Sequence, residues 1–91
     1  MASGHPWTEA DDIVALYLCK FGPKKLGLSK KQVAEARGIT LGSMNWRIAN
    51  FKALGGQGTA NHWAPQTESV YNDYNHLSEE SLRAIAFSGN N

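Results

Sequence analysis

Apolar positions recur at three- and four-residue intervals along most of the chain, the spacing of a helix face and not the alternation of a strand. Between Thr8 and Phe21 they are denser than one face needs. Ile13, Leu16 and Tyr17 follow one stripe with Lys20, and Val14, Leu18 and Phe21 follow another. A helix apolar over so much of its circumference belongs at the centre of a fold. Thr8 with Asp11 three residues on predicts its capping box, Glu9 and Asp12 suit its positive end, and Gly22-Pro23 stops it. Ser29-Lys30-Lys31-Gln32 writes a second capping box; Val33, Ala34 and Ala36 follow, and Gly38 closes a helix of about two turns. Only Gly38-Ile39-Thr40 separates it from a third helix, capped by Thr40 and running to about Leu54 before Gly55-Gly56. Two helices joined by so short a Gly-containing turn are the sequence form of a helix-turn-helix.

The third helix has two sides. At about 100° per residue, Leu41, Met44, Ile48 and Phe51 fall within about 80° of one another and predict the core stripe. Opposite lie Gly42, Ser43, Trp46, Ala49, Asn50 and Ala53, with Asn45 and Arg47 at the margins. Residues 55–65 read as a loop, followed by a fourth helix capped by Thr67 and carrying Val70, Tyr71 and Tyr74. A fifth, capped by Ser78, has Glu79 and Glu80 at its positive end and Leu82, Ile85 and Ala86 along its buried side. The expected fold is therefore mainly α: a helix-turn-helix bundle of about five helices over residues 7–87, between a flexible lead-in (1–6) and a flexible tail (88–91). Short strands flanking the 55–65 loop are the one β element for which the pattern leaves room.

Composition adds limits. A hydrophobic fraction of 42% in 91 residues suits one globular domain. Trp7, Trp46 and Trp63 are many large rings for so small a core to hide. Cys19 is alone, so no internal disulfide forms; this fits a reducing, cytoplasmic (nucleoid-associated) setting, and its neighbours mark it as a small core residue rather than a nucleophile. No apolar run approaches the roughly 20 residues of a membrane span. His5, His62 and His76 lack the spacing of metal ligands, and no nucleophile, base and orienting group can be assembled. The sequence thus predicts no metal, no cofactor and no enzyme.

Charge changes the picture more. The formal net charge is only +1, yet residues 20–52 hold eight bases and one acid, Glu35. Such a layout draws in a polyanion. Double-stranded DNA is the expected partner, read by helix 40–54 in the major groove. Arg47 is placed to bind guanine O6 and N7, and Asn45 or Asn50 to do the same at adenine. The small Gly42 allows close approach. Thr40 and Ser43 stand beside the free N–H groups of the helix start, where a phosphate binds. Lys24, Lys25, Lys30, Lys31 and Lys52 supply backbone clamps. Trp46 either meets a base methyl, sugar or unstacked base, or packs beneath the 55–65 loop or the fifth helix.

With these residues placed, the chain resembles the N-terminal helical domain found ahead of HNH nuclease domains in bacterial restriction-type endonucleases, including Mcr-type modification-dependent ones. The matching stretches are Trp7-Thr8-Glu9 with Ala15-Leu16-Tyr17-Leu18, then Gly38-Ile39-Thr40-Leu41-Gly42-Ser43-Met44, then Ile48-Ala49-Asn50-Phe51, with a weaker match from Val70 to Tyr74. They span about four-fifths of the chain, though the motifs are short and partly shared by helix-turn-helix domains at large. The resemblance implies a winged helix-turn-helix that binds DNA and, in some members, prefers methylated or hydroxymethylated bases. It implies that residues 55–63 form the wing or its substitute, with Gln57, Asn61, His62 and Trp63 touching the backbone or a methyl-base pocket. The family's nuclease half has no counterpart here, so cutting is not implied; a fused or separate nuclease is an expected partner. The family also carries a small residue where this chain has Trp46 or Asn45, so its base preference is not transferred. Two other readings stay open: a phage or bacterial regulator with an unmodified operator, and a protein adaptor anchored by Trp46 and Trp63. A monomer or weak homodimer fits each.

Overall fold

A computed structural model describes residues 6–58 and 62–87. The first helix, α1 (Glu9–Phe21), begins with the expected capping box. Thr8 Oγ1 accepts the Asp11 N–H and Asp11 Oδ2 accepts the Thr8 N–H, both at 3.1 Å. Gly22, at φ 74°, turns the chain out of the helix and donates its N–H to Leu18 O. A single 3-10 turn over Lys24–Leu26 follows, which the sequence reading does not contain. The second capping box, Ser29 with Gln32, opens α2 (Lys30–Ala36). Gly38, at φ 75°, reverses the chain so that Ile39 donates to Ala34 O and drops its side chain, 1% exposed, into the core. Thr40 then caps α3 (Leu41–Leu54). The two helices and the four residues between them form a helix-turn-helix as predicted, and they pack on one another.

The fourth helix, α4 (Pro65–Tyr74), starts three residues earlier than expected. Its cap position is Ala64, and Pro65 occupies the first turn, where its missing N–H costs nothing. Thr67 is therefore not a cap but a buried residue inside the helix. The last helix, α5 (Glu79–Ala86), is capped by Ser78 as predicted. Of its expected buried side, Leu82 and Ala86 are in the core, but Ile85 is 44% exposed. No strand occurs among the described residues, so the expected wing is not seen: residues 55–58 are turns and bends. Lead-in residues 1–5, loop residues 59–61 (with Asn61) and tail residues 88–91 lie outside the described residues.

The core is built around α1, which touches α3, α4 and α5. Every residue from Asp11 to Leu18 is buried, the outcome that its all-round apolar pattern requires. Tyr17, Leu16, Phe51, Met44, Ile39, Val70 and Leu82 are its large enclosed side chains. Two acids within a fully buried turn have to be neutralised there, and this fixes how α3 is held.

Candidate nucleic-acid interface

Arg47 does not stand at the margin of an outward face. Its side chain is 14% exposed, and its guanidinium donates to Asp12 Oδ1 at 2.6 Å and to Thr67 Oγ1 at 2.5 Å. The same group lies 4.2 Å from the centre of the Trp7 ring. Asp12 is wholly buried and also accepts from Gln66 Nε2 at 2.7 Å, while the same Gln66 nitrogen reaches Trp7 O at 3.1 Å. The knot thus ties the starts of α1 and α4 to the middle of α3. Beside it, Asp11 Oδ1 accepts from Arg37 Nε at 2.7 Å. Arg47 as a guanine reader is therefore corrected: its guanidinium is turned inward, with Nη1 committed to Asp12 and Thr67. The signal was present in α1, whose apolar circumference leaves Asp12 no route to solvent and so demands a cation from elsewhere.

Asn50 is the second correction. Placed outward by the wheel, it is 5% exposed, and its Oδ1 has no hydrogen-bond partner. The buried arc of α3 is wider than the stripe Leu41, Met44, Ile48 and Phe51, because α4 covers the flank that carries Arg47 and Asn50. What faces out is the remaining arc: Gly42, Asn45 and Lys52 are exposed, Ala49 is half-buried, and Trp46 is 64% exposed. Trp46 thus lies under neither the described part of the loop nor α5. Thr40 is exposed and Ser43 half-buried, the Thr40 hydroxyl accepting the Ser43 N–H at 3.1 Å. A Cβ on Gly42 would meet nothing within 4 Å, so nothing inside the protein asks for glycine there. The far end of the small-residue face has an internal use: a Cβ on Gly58 would come within 3.1 Å of Ala53 N and 3.4 Å of Ala49 O. The loop start leans on α3 at this point, an approach that alanines permit.

Among the clamps, Lys24, Lys25 and Lys31 are exposed and Lys30 is half-buried. Lys31 lies 3.9 Å from Glu35 and Lys25 4.0 Å from Glu79, whereas Lys24, Lys30 and Lys52 have no ion partner among the described residues. Gln57 and His62 are exposed, but Trp63 is half-buried and donates Nε1–H to Glu68 at 3.4 Å, which directs it toward the start of α4. Apart from this face, a cleft of about 360 Å³ opens between the C-terminal ends of α1, α3 and α4, lined in part by Cys19, Lys52 and Tyr71. Burial raises the Cys19 pKa, against an opposing pull from Lys52 and Lys20 that sequence neighbours alone do not reveal. Among the described residues no group of three His, Cys, Asp or Glu side chains is placed to hold a metal ion, and no helix is long and apolar enough to cross a membrane. No protein-family model matches the chain, and no curated protein or solved structure matches it.

Proposed function

We propose that the chain is a double-stranded DNA-binding module, not a catalyst, that lays the exposed arc of α3 in the major groove. The observation that carries this reading is the exposed arc itself. It offers Asn45, a 64%-exposed Trp46 and an unobstructed Gly42 at the start of a helix whose opposite side is fixed to the core. Lys24, Lys30 and Lys31, on the turn and helix just before α3, and Lys52 on α3 itself serve as phosphate clamps. Exposed pairs such as Lys31 with Glu35 are worth little in water and yield readily to a phosphate. Selectivity for a methylated or otherwise modified base is the finer part of the proposal and rests on the resemblance to restriction-type domains. A nuclease, fused or separate, would then act where the module binds.

Anisotropy titrations of labelled duplexes, with and without methylated bases, test the reading. Binding that weakens steeply with salt supports it; no salt-dependent binding to any duplex ends it. A second reading draws on Trp46 alone: an exposed tryptophan also suits a protein partner or a second copy. Trp63, bonded to Glu68, is a poor second anchor. Sedimentation separates the two, since a tight dimer that hides Trp46 would remove the groove face.

A further inference from the structure

We infer that this face reads A·T base pairs in preference to G·C pairs, with Asn45 as the adenine reader and Trp46 against the C5-methyl group of thymine. The inference rests on the DNA-binding reading above and adds to it the base that is recognised.

It follows from which side chains the fold leaves available. Guanine is read in the major groove by the twin donors of arginine, or by lysine, at O6 and N7. Arg47 is the only arginine on α3, and it is held by Asp12 and Thr67 beneath the Trp7 ring. Lys52 is exposed but lies seven residues, about 10 Å of helix, beyond Asn45. A recognition helix enters the groove by its N-terminal end, which leaves Lys52 to the backbone. Adenine is read by an Asn or Gln amide at N6 and N7. Of the two asparagines on α3, Asn50 is buried, while Asn45 is exposed and no hydrogen bond ties its side chain to another described residue.

The rest of the arc is apolar. Trp46 and Ala49 present carbon to the groove, and a thymine methyl is the apolar feature that an A·T pair offers there. Asn45 and Trp46 sit about 100° apart on the helix, at two edges of the arc, with Gly42 between them one turn earlier. The open space over Gly42 lets the floor of the groove come up between the two side chains. One amide and one indole then meet neighbouring positions of the same A·T step.

The test is a competition titration of the full chain with duplexes that share one backbone length and differ in their central steps. The arms are all-G·C, A·T-containing, A·T with uracil for thymine, and A·T with 7-deazaadenine for adenine. We expect the A·T duplex to bind on the order of tenfold more tightly than the G·C one. Uracil, lacking the methyl group, and 7-deazaadenine, lacking N7, should each remove part of that preference. Asn45→Ala should abolish the response to 7-deazaadenine and Trp46→Ala the response to uracil. Both residues are exposed, and a thermal melt on each variant checks that it is folded. Equal binding to A·T and G·C duplexes, a G·C preference, or an A·T preference left undiminished by 7-deazaadenine would overturn the inference while leaving DNA binding intact. Failure to bind any duplex would overturn the DNA-binding reading beneath it.

Discussion

Asp12 and Arg47 show how one buried charge decides what a neighbouring surface can do. The carboxylate is fully enclosed and accepts hydrogen bonds from three side chains, so its burial is compensated only while all three remain. Truncating the partner strands the charge, a loss that typically amounts to about 3–5 kcal/mol. Arg47→Ala should therefore act on stability and not on base preference: urea unfolding should show a loss of that order. A variant that unfolds like the parent but loses sequence discrimination would place Arg47 in the groove after all. Gly42 should behave in the opposite sense. With open space at its Cβ position, Gly42→Ala should stabilise α3 by about 1 kcal/mol. If the groove approaches there, the added methyl should also weaken duplex binding, so that thermal stability rises while affinity falls. Asn50 Oδ1 is the one buried side-chain polar atom among the described residues without a hydrogen-bond partner.

At the scale of elements, helix existence and every cap but that of α4 are legible because they are local. Thr8, Ser29, Thr40 and Ser78 each accept the N–H three residues on, as short-range chemistry dictates. Which way a helix face points was less legible, because a third helix can cover a flank that periodicity assigns to solvent. That is why periodicity puts Asn50 on the outward face and Arg47 at its margin, and why it puts Ile85, on a helix that meets only one neighbour closely, inward. The clamp between α1 and α5 was equally invisible, since it joins residues 62 positions apart. Tyr17 donates its O–H to Glu79 Oε2 at 2.6 Å, and Arg83 Nε donates to the same oxygen at 2.7 Å. Burial first, then the hydrogen bond to Glu79, raises the Tyr17 pKa to about 12 from an ordinary 10.0. The folded state thus holds the phenol proton more tightly than the unfolded chain does. Its contribution is fully present below pH 10 and is lost as pH rises from there towards about 12. An alkaline unfolding transition in that window should shrink in Tyr17→Phe; an unchanged alkaline profile would contradict the role of this bond.

For the molecule as a whole, the charge of residues 20–52 separates into an inner and an outer part. Arg37 and Arg47 are consumed by Asp11 and Asp12, and Lys20 donates to Asn75 O. The outer part is made of lysines on the 3-10 turn, on α2 and on α3. Arginines that the sequence pattern counts towards a partner thus hold the scaffold together, and the cations left on the surface are lysines. Lysine clamps make a quantitative demand: each phosphate neutralised by Lys24, Lys30, Lys31 or Lys52 releases counterions, at about 0.9 of slope per contact. The most direct measurement is the duplex dissociation constant of the full chain between about 50 and about 200 mM salt. A plot of log affinity against log salt should fall with a slope of about −3 to −4. That slope should become shallower by about 1 in Lys30→Ala or Lys52→Ala. Affinity that does not change with salt, or no binding at the lowest salt, would contradict a DNA-reading role for α3.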